Sequence, residues 1–285
     1  MSSRGAVVFR RFRRNRLALV GAAVLVAMVI AAFVLPHLYP HDYQQSDPLA
    51  LLAPPSPDHW FGTNAIGQDV FAQTMRGLQK SMIIALLVAL LSTLIAGIVG
   101  ATSGYLRGGT DRILTWITEV LLVVPSFVII AICSPWFKGE SYLLLVLLLA
   151  LFSWMVSSRM VRAITLSLRE REYVRAARFM GATRRTVISR HILPSMSSVL
   201  IVDATLNVGV AIVGESTLSY FGFGVQKPDI SLGTLIADGT SSALTYPWLF
   251  LFCIGALILI VMCVNLIGDG LRDALDPSSS AGRER

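Results

Sequence analysis

Six stretches of this chain stay apolar over a length that matters to a bilayer: residues 17–35, 82–102, 113–132, 142–158, 199–213 and 248–267. A hydrocarbon core about 30 Å thick takes about 20 helical residues to cross. Inside it each backbone N–H and C=O must be satisfied within the protein, which a helix does along its own length. The expected fold class is therefore an all-α polytopic membrane protein with six transmembrane helices. The stretch 199–213 is short for a crossing unless its helix starts near Ser195. Composition agrees: 54% of the 285 residues are hydrophobic and 14% are charged, about half the charged share of a soluble domain. The first stretch is longer than the apolar part of a cleaved signal peptide, about 7–15 residues, and no small-x-small site follows it. It reads as an uncleaved helix.

Charge assigns the sides. Six Arg precede the first stretch and nine lie between Arg159 and Arg190, whereas Lys80, Lys138 and Lys227 fall in the other loops beside acids. Basic residues accumulate on the cytoplasmic side of a membrane protein. Both termini and the segment after Arg159 are thus expected on the cytoplasmic side of a cell membrane. The organisation expected is a basic cytoplasmic tail (1–16), a first transmembrane helix (17–35), an extracytoplasmic loop (36–80), a five-helix membrane domain (81–270) and a polar tail (271–285) ending in disorder. The net charge of +7 is no sign of nucleic acid, because the Arg residues border apolar runs rather than alternate with aromatics. Within this frame Pro54-Pro55-Ser56-Pro57 reads as a stop, the segment before residue 82 as a capped amphipathic helix, Pro125 as a kink, and Gly97 and Gly100 as points of close helix approach. Cys133, Cys253 and Cys263 read as small core residues, since an odd count without CxxC spacing makes neither a disulfide framework nor a zinc site.

One polar island, residues 172–194, interrupts the apolar pattern. Tyr173, Ala176, Ala177 and Met180 recur at steps of three and four, so they are expected on one face of a short helix. Gly181 follows as a helix stop. Thr183 can cap a second helix with Val187, Ile188 and Ile192 inward, and Pro194 lies near its end. The plain reading is a basic loop lying on anionic lipid. The order Ala176-Ala177, Gly181, Leu193-Pro194 also resembles the EAA loop of permease subunits of ATP-binding-cassette importers. The resemblance implies coupling helices that dock on an ATPase, formed within residues 168–194 by Glu172, Tyr173, Arg175, Ala176, Ala177, Met180, Gly181, Ala182, Thr183, Arg184, His191, Leu193 and Pro194. Arg175 stands where that motif carries Glu, and His191 where it carries Ile. Glu172, one turn earlier, is the acid that could replace it.

The resemblance extends along most of the chain from Phe61. Phe61, Gly62, Thr63, Gly67, Asp69, Gly77 and Ser81, the segment 214–239, and Gly268, Asp269, Leu271, Arg272, Asp273 and Asp276-Pro277 are similar to the C-type subunit of dipeptide and oligopeptide permeases. This implies the type I importer permease fold, a second homologous permease subunit, two ATPases that bind ATP and Mg, and an extracytoplasmic solute-binding protein. Peptides are the leading solute class; nickel or another small solute is the alternative.

The chain itself carries no phosphate-binding loop. Such a loop needs Gly-Lys before Ser or Thr, and Lys80, Lys138 and Lys227 follow Gln79, Phe137 and Gln226. No HExxH, GxSxG or DxDxDG arrangement occurs either, so a non-catalytic subunit without cofactor or metal is expected. Asp203 and Asn207, four apart in the fifth stretch, share a helix face. An acid near a helix centre costs about 2.5–3.5 kcal/mol to insert. The pair therefore either hydrogen-bonds between helices or lines a solute path, and is expected to face the other permease subunit rather than lipid. Glu119 has the same two readings; Glu215 is placed at the outer mouth, either on the solute path with Asp203 and Asn207 or simply solvated. A secondary transporter using Asp203 or Glu119 is the rival class. Its usual inverted repeat within one chain is not visible here. A membrane-anchored signalling protein is a third.

Overall fold

The computed structural model describes residues 4–137 and 142–275. Among them the regular structure is helical, with two isolated bridges in the loop before residue 70. Helix α1 (Arg4–Phe12) precedes α2 (Arg16–Leu38), which Asn15 caps by accepting from the Ala18 amide at 3.2 Å. The stretch expected as a plain basic tail thus begins as a helix. Ala18, Gly21, Met28 and Ala32 form the buried stripe of α2. A Cβ on Gly21 would lie 3.0 Å from Leu266 Cβ, so α2 seats closely on α12 (Trp248–Leu275).

Helix α3 (Val70–Leu106) runs 37 residues, about 55 Å at 1.5 Å per residue. The amphipathic entry segment and the second crossing are one continuous helix, capped by Asp69 through the Ala72 amide at 2.8 Å. Its main partner is α6 (Tyr142–Leu168). At their crossing a Cβ on Gly100 would come 2.5 Å from the Ser158 carbonyl oxygen, and one on Gly104 2.7 Å from that of Arg162. Gly97 meets only a Leu193 methyl at 3.7 Å, so the close approach lies one turn further along α3 than the first glycine suggests.

Five helices, α2, α3, α6, α10 (Ser197–Tyr220) and α12, are long and apolar enough to cross a membrane. Where the remaining crossing is expected, α4 (Gly108–Val123) and α5 (Ser126–Cys133) form a pair bent by 74° at a break around Pro125, the geometry of a broken span or of a re-entrant loop. Pro125 lacks an amide hydrogen and its ring disfavours helical geometry at Val124. Arg162 on α6 holds the start of α4, its Nε and Nη2 each 2.7 Å from an Asp111 carboxylate oxygen. The outer loop expected at 134–141 begins as a single 3-10 turn, Ser134–Phe137; residues 138–141 lie outside the described residues.

Several helices outrun their apolar stretches. α6 continues ten residues past 158, α10 seven past 213, and α12 eight past 267. Residues 271–275 of the expected tail are therefore helical, while Asp276-Pro277 and the Ser/Gly/Arg end lie outside the described residues. Helix α11 (Leu232–Thr240) occupies the loop before α12, opened by a capping box of Ser231 and Thr234.

Candidate functional site

The polar island folds into a projection at one end of the bundle. α7 (Glu172–Phe179) ends in a Schellman turn: the Ala182 amide bonds to the Ala177 carbonyl and the Gly181 amide to that of Arg178, both at 3.0 Å. Gly181 takes φ +82° there, and a Cβ at this position would meet nothing within 4 Å. The requirement for glycine is conformational rather than spatial. Thr183 then caps α8 (Arg184–Val187), accepting from the Thr186 amide at 3.2 Å.

Pro194 does not end the second helix. Residues Ile188–Ile192 widen into a π turn, closed by the Leu193 amide on the Ile188 carbonyl. The chain passes Pro194 in α9 (Leu193–Ser195) and runs on into α10. The wider turn absorbs the missing proline donor. The Ser195 hydroxyl accepts from Tyr173 at 3.1 Å and donates to the His191 carbonyl at 2.5 Å.

Beneath the projection Val174, Val187, Ile192 and Met196 pack with Tyr105 of α3 and Val161 of α6 in one buried cluster, with Ala182, Ile188 and Leu193 at its edge. The face expected for α7 is thereby divided. Ala177 is buried, but Tyr173, Ala176 and Met180 point outward, and Val174 takes the inner position. Phe179 and Met180 are 85% and 81% exposed. Phe179 is not among the residues the sequence singles out, because it lies off the inward period; its signal is a large aromatic at an off-period position. Glu172, Arg175, Arg184 and Pro194 are exposed and His191 is half-buried.

Asp203 and Asn207 come together as their spacing requires, and their partners lie within this chain. Asp203 accepts from Ser157 of α6 at 2.8 Å, from Asn207 at 3.0 Å and from Thr93 of α3 at 3.4 Å; the Asn207 amide also reaches Ser157 at 3.4 Å. Hydroxyls of α3 and α6 thus satisfy the pair within this chain, which is the interhelical hydrogen-bonding alternative. Both residues keep partial exposure. Glu119 is exposed on α4, beside a cleft it shares with Arg159 and Arg162.

Glu215 is not at a solvated mouth. α10 extends past it, its exposure is 0%, and it accepts from Ser219 at 2.6 Å, Ser81 at 2.9 Å and Ser216 at 3.4 Å. Ser81 also accepts from the Leu232 amide at 3.3 Å. The carboxylate therefore joins α3, α10 and the start of α11. Next to it Lys80 pairs with Asp229 at 2.7 Å and lies over the Tyr142 ring at 4.2 Å. Opposite the projection, the loops 43–68 and 227–246 enclose an open cavity of about 740 Å³, with Asn64, Gln68, Gln73, Lys227 and Asp238 among its lining.

Long apolar helices, a bent helix pair and a two-helix projection on a buried footing have the build of a polytopic membrane protein. Residues 93–280 match the family described as binding-protein-dependent transport system inner membrane component, and residues 3–55 match the N-terminal TM domain of oligopeptide transport permease C. The chain belongs to this family of binding-protein-dependent inner membrane components. It is 56% identical to the oligopeptide transport system permease protein OppC of Mycobacterium tuberculosis strain H37Rv, over 99% of this chain and 97% of that protein. Against OppC of Bacillus subtilis strain 168 the identity is 36%, over 94% and 87% of the two chains. Among solved structures, a chain of the MetNI methionine ABC transporter in inward-facing conformations superposes with a TM-score of 0.58 at 17% identity, covering 72% of this chain and 97% of that one. That likeness is one of fold.

Proposed function

We propose that this chain is the permease subunit of an ATP-driven oligopeptide importer, and that its projection receives the stroke of a separate ATPase. The observation that carries the reading is the outward face of α7. Tyr173, Ala176, Phe179 and Met180 are open to solvent on a short helix whose inner side is locked to α3 and α6. An exposed apolar face on a rigid footing suits a protein partner. Movement of this footing reaches the bundle directly, since the same cluster contains Tyr105 and Val161. The peptide cargo rests on the OppC relatives, one of them 56% identical over 99% of this chain.

In this reading the projection and both termini face the cytoplasm, as the nine Arg between Arg159 and Arg190 favour. Two ATPase subunits bind ATP and Mg and hydrolyse the nucleotide. A second homologous permease subunit completes the path, and a solute-binding protein delivers the peptide on the far side. Tyr173, Arg175, Gly181, Ala182, Thr183, Arg184, His191, Leu193 and Pro194 build or flank the coupling surface. Glu172, in the first turn of α7, supplies its acid.

The test is co-purification of the assembled complex through a tag on this chain. Burying two side chains such as Phe179 and Met180 is worth about 1.5–3 kcal/mol each. Phe179→Ser with Met180→Ser is therefore expected to lower ATPase recovery by at least about tenfold while the second permease subunit still co-purifies. Full ATPase recovery would remove the basis for the docking face. The purified chain alone is expected to show no ATP turnover.

A further inference from the structure

Outside the projection and the polar clusters of the bundle, one group of side chains has the composition of a metal site. His41, His59 and Asp69 each offer a ligand atom, and these atoms lie within 4.8 Å of one another. No motif spacing joins them. The fold does, by bringing the segment after α2, the loop and the cap of α3 to one place.

Asp69 is fixed twice over. One carboxylate oxygen accepts from the Ala72 amide at 2.8 Å; the other accepts from the Tyr39 hydroxyl at 2.9 Å and lies 2.8 Å from His59 Nδ1. The Tyr39 hydroxyl enters as a donor. Asp69 and His59 are 1% and 7% exposed, and among the described residues His59 is the one ion-pair partner of Asp69. Apart from His59, the partners of this buried carboxylate are a phenol and an amide, neither of which carries charge. His41 is half-exposed, its ring 4.6 Å from that of His59, which leaves a route from solvent. Trp60 and Phe71 pack against Tyr39 and form an apolar shell.

We propose that His41, His59 and Asp69 bind one divalent ion of the zinc class. Two imidazoles and a carboxylate are a nitrogen-oxygen set that suits zinc, with water in the fourth position. Bonds of about 2.0–2.1 Å place neighbouring tetrahedral ligands about 3.3 Å apart. His59 Nδ1 and Asp69 therefore part slightly and the ion takes the place of the hydrogen between them; the Nδ1 proton passes to solvent, and Nε2 carries the single proton of the bound imidazole, taken up from solvent where the free ring was neutral. Tyr39 remains on the carboxylate as the outer partner that orients it. The bound ion ties the end of α2 to the start of α3. On the proposed topology this clamp faces the extracytoplasmic side, but its existence is independent of transport.

The test uses the full chain in lipid nanodiscs, carrying a tag without histidine and stripped with a chelator. Zinc is added, free ion is removed, and bound metal is measured by mass spectrometry beside a thermal melt. The expected result is about one zinc per chain and a higher melting temperature. His41→Ala, at a half-exposed position, is expected to weaken zinc binding at least about tenfold and to lose most of the zinc-dependent rise in melting temperature. His191→Ala, in the projection, is expected to bind as the parent does. No zinc above background in the parent, or equal binding by His41→Ala, would overturn the proposal. Peptide uptake does not enter either readout, so failure here leaves the importer reading untouched.

Discussion

At the scale of single residues, the buried acid of α10 is satisfied by hydroxyls. Glu215, with Ser219, Ser81 and Ser216 around it, holds three elements together with no basic partner among the described residues. Glu215→Gln retains most of those bonds, whereas Glu215→Leu leaves buried hydroxyls unpaired at a cost of about 1–3 kcal/mol. The expected outcome is a near-normal melt in detergent for Gln and a clearly lowered one for Leu. Asp203 differs in keeping partial exposure beside Ser157 and Thr93. Asp203→Leu is expected to cost about 0.6–2 kcal/mol, the range for interhelical hydrogen bonds in membranes. Asp203→Asn should melt within about 0.5 kcal/mol of the parent; if it also shifts the preference among peptides in an uptake assay, the residue touches the path. The sequence indicates that Asp203 and Asn207 share a face, because a spacing of four does so in any helix. It does not indicate which helices supply the partners, because Ser157 and Thr93 are ordinary residues until the bundle packs.

At the scale of elements, hydropathy reports the thickness of the bilayer and not the length of the helix. Five of the six apolar runs fall on helices long enough to cross, and the run 113–132 falls on the bent pair α4 and α5, yet α3, α6, α10 and α12 all continue beyond their runs. Backbone hydrogen bonding and packing carry a helix on into water, where its side chains can be polar. That is why Glu215 reads as a loop residue in the sequence. α11 is hidden for a related reason: nine residues between Gly and Pro signals read as loop. Glycine by itself also does not show where two helices touch. A Cβ on Gly100 would strike the Ser158 carbonyl, whereas Gly97 has room. Gly100→Ala is expected to destabilise the bundle by about 1–3 kcal/mol. Gly97→Ala is expected to be neutral or to stabilise by about 0.5–1 kcal/mol, since the helix gains from losing glycine. Thermal melts of the two variants in the same detergent check the pair; equal losses would mean that α3 and α6 do not cross as described.

At the scale of the whole molecule, the account rests on one mechanical connection. The Schellman corner at Gly181 sets the angle between α7 and α8, and Val174, Val187 and Ile192 press that corner onto Tyr105 and Val161 of the bundle. The order of Ala, Gly and Leu-Pro makes this projection legible in the sequence. Its outer face is not legible, because Tyr173, Ala176 and Met180 have the period of an inward stripe; burial of Val174 decides otherwise. A β-branched side chain at φ +82° is strained by about 1–2 kcal/mol, so Gly181→Val should distort the corner while the apolar helices still insert. The most direct measurement is uptake of a labelled oligopeptide into proteoliposomes holding the complete transporter with its solute-binding protein. The account predicts uptake that requires ATP and falls at least about tenfold in Gly181→Val at equal membrane abundance of the subunit. Uptake driven by an ion gradient without ATP, or unchanged uptake by Gly181→Val, would contradict it.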